Sequence, residues 1–238
     1  SYFYFNNCFV RVTADDITPL DYSEIDGLVW RKELIDRDYI KADHDAGDFE
    51  QFQRNICTPA KYRDSSKQDL PLDQIEKIDS RHKALMSAMG YMLHRYADGV
   101  LIKAVVFNDE KINLDIDRGG YGRSGKGLSM QGYARMRNLC IIDGKKWRPD
   151  NQFCYQRLSL ETNGVLFDDM KARFDIELLY SDLSEGYSVE RKGKDAIKLP
   201  QPIKTAITTN YVLKGDTPSD RARRIEVELS DYYDDEYT

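Results

Sequence analysis

The sequence has no apolar run near the roughly 18 residues that a membrane-spanning helix needs, and nothing in it is patterned as a secretory signal. Its four cysteines, Cys8, Cys57, Cys140 and Cys154, form no CxxC pair and no zinc-ligand spacing. They read as reduced, mostly buried thiols of a cytosolic protein. A basic surplus is missing too: 35 Lys and Arg face 41 Asp and Glu, a net charge of -6. No global field would hold nucleic acid, so any such contact must come from a local patch. Asp43-His44-Asp45 offers metal-type side chains, but it sits in the acidic stretch Asp43 to Glu50, which reads as a solvated loop.

What remains is ordinary for a globular chain: 238 residues, 41% hydrophobic and 32% charged, enough to bury a core without disulfides. A strand-like run follows Ser1 at once, and the other end is charged and Tyr-rich, so a piece of a longer protein is expected.

Tyr2 to Val12 is aromatic and β-branched and predicts one or two strands. Loop with short elements follows to about Gly47, then a short helix over Phe49 to Cys57 and a polar connector over Lys61 to Pro71. Asp79-Ser80 offers an N-cap, and Leu85, Met89, Met92, Leu93 and Tyr96 at helical spacing predict a helix over Arg81 to Arg95, closing at Asp98-Gly99. Val100 to Phe107 reads as a buried strand. Helices are predicted over Gly127 to Asn138 and Ile176 to Leu183. Strands are predicted over Leu139 to Ile142, Gly164 to Phe167, Lys204 to Thr209 and Ile225 to Leu229. Buried strands separated by helices argue for an α/β fold, a parallel sheet with helices on both faces. The expected boundary lies near Gly99, between residues 1–99 and 100–238.

Gly120-Tyr121-Gly122-Arg123-Ser124-Gly125-Lys126-Gly127 matches G-x-x-x-x-G-K ahead of a predicted helix. Glycines let the backbone wrap a phosphate, the helix N-terminus points N–H groups at it, and the lysine reaches the outer phosphates. The Ser or Thr that ordinarily follows and holds magnesium is Gly127 here. About ten residues, Asn108 to Arg118, separate the preceding strand from the loop. A Gly-rich surface turn would also fit these residues.

Gly164 to Asp169 is an apolar strand ending in two carboxylates at the sheet edge where ligands bind in open α/β folds. One acid suits magnesium, the other the attacking water. Thr205 to Asn210 is a similar strand ending in an amide that both donates and accepts. Between them, Glu185 to Leu199 predicts a β-hairpin turning at Gly193, with Arg191, Lys192 and Lys194 at its tip for phosphate contact or plain solvation. Asp220-Arg221-Ala222-Arg223-Arg224 offers either an arginine for a neighbouring subunit's nucleotide or a surface ion-pair cluster.

This order of motifs over residues 100 to 230 resembles superfamily 3 helicases, AAA+-type P-loop ATPases, and among them the primase-helicases of phages, plasmids and integrated elements. The resemblance implies a smaller, mainly helical N-terminal domain ahead of the motor. It implies ATP and magnesium as cofactors, and a hexameric ring that translocates on single-stranded DNA and unwinds duplex, alongside a primase. It implies that Gly120, Gly122, Arg123, Ser124, Gly125, Lys126 and Gly127 bind nucleotide. Asp168 would hold magnesium, Asp169 would be the base, and Asn210 would sense the γ-phosphate. Arg223-Arg224 would carry the arginine finger, and Arg191, Lys192 and Lys194 would track DNA. Gly127 leaves open a degenerate module that binds nucleotide or DNA and assembles without hydrolysis.

Overall fold

The computed structural model describes residues 1–42, 47–96, 102–110, 124–199, 203–215 and 217–233. Asp43-His44-Asp45, Gly120, Gly122 and Arg123 lie outside them, as does most of the Asn108 to Arg118 insertion.

The chain opens with a small mixed sheet. β1 (Tyr2–Phe5), β2 (Phe9–Val12) and β3 (Ile17–Leu20) pair antiparallel in sequence, and β4 (Leu34–Ile35) adds to β1 in parallel. Phe3, Phe5 and Val10 turn inward from it, as the two-residue period of a strand requires.

Two helices follow, α1 (Asp48–Asn55) and α2 (Leu72–Leu93). Two short 3-10 turns, Ala60–Tyr62 and Lys67–Asp69, interrupt the connector. The helix predicted from Arg81 starts at Leu72 instead. Pro71 sits ahead of its first turn in extended backbone, where the missing N–H loses no helical bond. Asp79 caps nothing: it pairs with Lys67 at 2.8 Å from the helix interior. The inner stripe is Leu85, Ala88, Met89 and Met92. The helix ends at Leu93, and the predicted stop at Asp98-Gly99 lies outside the described residues.

The large sheet is built from β5 (Ala104–Asp109), β6 (Leu139–Asp143), β7 (Gly164–Met170), β10 (Lys204–Thr209) and β11 (Arg224–Leu229). Between them lie α3 (Lys126–Ala134), α4 (Tyr180–Glu185), the hairpin β8 (Ser188–Arg191) and β9 (Lys194–Lys198), and α5 (Pro218–Ala222). α3 is shorter than predicted, ending before Arg135, and Ile176–Leu179 forms a 3-10 turn rather than helix. All five strands are parallel, in the order β11-β5-β10-β7-β6.

Every residue of β5 and β10 is buried, as expected of parallel strands covered on both faces. Alternation sorts the side chains. Val105 and Phe107 face α1, α2 and α3, where Ile56, Leu85, Met92, Met130 and Tyr133 meet them. Ala104 and Val106 face the other way, toward Trp147, Tyr155, Leu158 and the base of the hairpin. Residues 1–96 are mixed, and the helices among them pack on the large sheet. They supply a four-stranded sheet and two helices that cover the large sheet, so one core runs across the division expected near Gly99. Among the described residues no helix is long and apolar enough to cross a membrane.

Candidate phosphate-binding site

Parallel register sets the carboxyl ends of β5, β10 and β7 side by side, with β10 in the middle. Asp109 ends β5, Asn210 follows β10, and Asp168 and Asp169 lie near the end of β7. The N-terminus of α3 faces the same edge. Together they border a cleft of about 350 Å³, lined by Ser124 to Gly127, Asp168, Asp169 and Thr208 to Asn210.

Lys126 is the hub. Its Nζ donates to Asp109 Oδ1 at 2.5 Å, to Asn210 Oδ1 at 2.7 Å and to Ser124 Oγ at 3.2 Å. The Lys126 side chain is 11% exposed and that of Asp109 6%. Burial pushes the lysine below its ordinary range, while Asp109, and more weakly Asp169 and Asp168, pull it back up. Asp109 Oδ2 is buried without a hydrogen-bond partner. Asp109 escaped the sequence reading, which ended the strand at Phe107. The available signal was a buried apolar run followed by a carboxylate.

The loop backbone is tightly determined at Gly125, which caps α3 in the left-handed region at φ 91. A Cβ there would lie 2.7 Å from Phe52 Cζ and 2.9 Å from Ile56 Cγ2, so the position needs glycine for both conformation and space. Gly127 differs: an added Cβ meets nothing within 4 Å.

Thr208 organises the acidic pair. Its Oγ1 donates to Asp168 Oδ1 at 2.7 Å and accepts the Asp169 N–H at 2.8 Å. The β10–β7 register shifts between Ile207 and Thr209, and Asp169 adopts φ 55. This fixes the two carboxylates in different directions. That of Asp169 forms an exposed ion pair with Lys145. Gly144 donates its N–H to Asp168 O at 2.6 Å, and a Cβ at Gly144 would lie 2.8 Å from that oxygen. Thr208 was read only as part of its strand, and Lys145 carried no signal at all.

A magnesium ion in a nucleotide site takes one or two carboxylates and completes its shell with phosphate oxygens and water. Of the two acids, Asp168 could supply that carboxylate, since the Asp169 carboxylate is turned to Lys145. Among the described residues no group of three or more His, Cys, Asp or Glu side chains forms a protein-only metal cage.

The cations divide. β8 and β9 form the predicted hairpin with Gly193 at φ 71, and Lys192 and Lys194 are exposed at its turn. Arg191 instead folds back, donating to Gln156 O at 3.1 Å and Leu158 O at 2.5 Å. Arg224 pairs in register with Ala104, at the start of β5 rather than at Asp109. That puts Arg223 and Arg224 at the opposite edge of the sheet, roughly 17 Å from the cleft at the usual rise per strand residue. Arg223 lies over the Tyr180 ring at 4.5 Å and donates to Ser219 Oγ at 2.5 Å. Arg224 donates to Gly215 O at 2.7 Å and pairs with Glu226 at 2.6 Å. Neither arginine joins the cleft of its own chain.

No protein-family model matches the chain, and no curated protein matches it in sequence.

Proposed function

We propose that this chain is the ATP-hydrolysing motor of a superfamily 3 type DNA helicase, an AAA+-like P-loop domain. Its setting would be the cytoplasmic replication machinery of a phage or mobile element. One observation carries the reading. Lys126, Asp168, Asp169 and Asn210 come from separate segments yet line one cleft at the carboxyl edge of a parallel sheet.

Each residue then has a task. The Lys126 ammonium and the first N–H groups of α3 bind the β- and γ-phosphates. Asp168, steadied by Thr208, would hold magnesium. The bound ion would neutralise phosphate charge. Asp169 accepts the proton of the attacking water, and Asn210 orients that water against the γ-phosphate. Lys192 and Lys194 contact the backbone of single-stranded DNA from the exposed hairpin turn. Arg223 and Arg224, remote from their own cleft, would serve a neighbour's in a hexameric ring. A primase would act alongside.

A second reading is a non-hydrolysing module that binds nucleotide and assembles. Two observations favour it: Gly127 carries no hydroxyl, and Asp109 already occupies Lys126. Magnesium-dependent ATP hydrolysis, with and without single-stranded DNA, separates the two. The motor reading expects DNA-stimulated hydrolysis that is lost in Lys126→Ala and Asp169→Asn. Hydrolysis unchanged in Lys126→Ala would overturn the site. Nucleotide binding without hydrolysis in an assembled ring would favour the second reading.

A further inference from the structure

An apolar patch borders the phosphate loop on the side away from the acids. Gly125 and Gly132 both face α1: a Cβ at Gly125 would meet Phe52, and one at Gly132 would meet Phe49. Leu128 lies four residues before Gly132 within α3, so the two positions are neighbours on its surface. Phe49 and Phe52 stack at 5.8 Å, and Tyr233 stacks on Phe52 at 6.2 Å with an interplanar angle of 18°. Asn55 Nδ2 donates to the Tyr233 hydroxyl at 3.3 Å, which steadies the ring. Yet Leu128 remains 47% exposed, Phe49 40% and Tyr233 39%. Scattered single apolar side chains are normal on a surface, but a contiguous group marks a binding face.

Its place in the fold identifies the occupant. The acids belong to β7, on one side of β5. The patch lies on the other side, where Ser230 N donates to Ile56 O at 2.7 Å and ties the end of β11 to α1. A nucleotide with phosphates on Gly125 and Lys126 and its terminal phosphate toward Asp169 must extend its ribose and base away from the acids. That direction leads to Leu128 and Tyr233.

We infer that Leu128, Phe52 and Tyr233 form the platform on which the base of the bound nucleoside triphosphate stacks. This rests on the phosphate-site reading above and adds a substrate class to it. Stacking selects for a flat π-face and not for an edge pattern, because every base presents one. Leu128 and Phe52 carry no hydrogen-bonding group and the Tyr233 hydroxyl accepts from Asn55 Nδ2 at 3.3 Å, so ring faces and not an edge pattern make the contact. The site therefore takes nucleoside triphosphates with little choice among their bases, adenine and guanine included.

Calorimetric titration of the intact chain with magnesium-ATP, magnesium-GTP and inorganic tripolyphosphate tests this, alongside Tyr233→Ala and Leu128→Ala. Wild type is expected to bind ATP and GTP within about threefold of each other, and both more tightly than tripolyphosphate. Each variant is expected to weaken ATP by about fivefold or more while leaving tripolyphosphate unchanged. ATP affinity unchanged in both variants overturns the platform alone, and altered self-association in those variants would then assign the patch to a second copy. Equal loss of ATP and tripolyphosphate also overturns it, since the substitutions would then have damaged the phosphate loop. If wild type binds neither, the phosphate site fails and the platform with it.

Discussion

The Lys126 ammonium lies 2.5 Å from Asp109 Oδ1, and both side chains are almost withdrawn from water. The lysine that would hold a nucleotide's phosphates is therefore held by a carboxylate of its own chain. An incoming phosphate must take the place of Asp109, exchanging one anion for another at the same cation. Asn210 Oδ1 accepts from the same ammonium, so on the proposed reading it would register which of the two is present.

Asp109→Asn should expose this exchange. The amide keeps the shape but leaves Lys126 buried without its counter-charge, and breaking such a pair costs about 3 kcal/mol or more. Chemical denaturation without nucleotide should show that loss. Magnesium-ATP should raise the variant's melting temperature more than the wild type's, because phosphate restores the missing anion. Equal ligand-induced shifts would mean that Asp109 and phosphate do not compete.

Gly127→Ser should strengthen magnesium dependence. An added Cβ meets open space, and the hydroxyl would stand where phosphate loops ordinarily supply one to the ion. Hydrolysis followed against magnesium concentration should reach half-saturation at about tenfold lower metal, the effect of one added ligand on the order of 1.4 kcal/mol. The fold should be unharmed, since serine is a better helix former than glycine. An unchanged magnesium curve would place the ion away from α3.

Local pattern made some of this architecture legible and hid the rest. β7 and β10 are apolar runs that end in polar residues, Asp168-Asp169 and Asn210, so both strand and site follow from composition along a few residues. The hairpin was equally plain from Gly193 and its flanking cations. The start of α2 was hidden because Asp79-Ser80 imitates a cap, whereas the deciding event is the packing of Leu85 and Met92 on Val105 and Phe107 across the large sheet. That contact is tertiary, and it also explains why residues 48–93 belong to the large sheet's outer layer. Asp109 was hidden for a similar reason. It is one acid among several between Asn108 and Arg118, and only strand pairing brings it to Lys126. Arg191 reads as a tip cation until the carbonyls of Gln156 and Leu158 claim it.

Asp169→Gly should separate folding from chemistry. Asp169 sits at φ 55, a conformation glycine adopts without the cost that a Cβ imposes. Its ion pair with Lys145 is exposed and contributes little to stability. The variant should therefore melt within a few degrees of wild type or above it. Hydrolysis should fall by at least about a hundredfold if the carboxylate is the base. Retained hydrolysis with a normal melting point would move the base elsewhere in the cleft.

Glu110 couples the end of β5 to α2 and makes the fold sensitive to acid. Burial alone would raise its carboxyl, but hydrogen bonds and charge from Arg81 and Lys77 prevail and hold it down to about 2, against an ordinary 4.5. Arg81 is buried, lies 2.6 Å from Glu110, and also reaches Glu228 at 3.5 Å. A depressed carboxylate stabilises the folded state fully above its unfolded value and loses that contribution as pH falls through its folded one. Stability should thus decline between about pH 4.5 and 2, with little change above that window from this group. In Glu110→Gln that part of the decline should vanish, leaving a less stable protein at pH 7 whose urea midpoint changes less between pH 5 and 3. A variant with the wild-type acid profile would show that Glu110 titrates normally, and that Arg81 is neutralised by Glu228 instead.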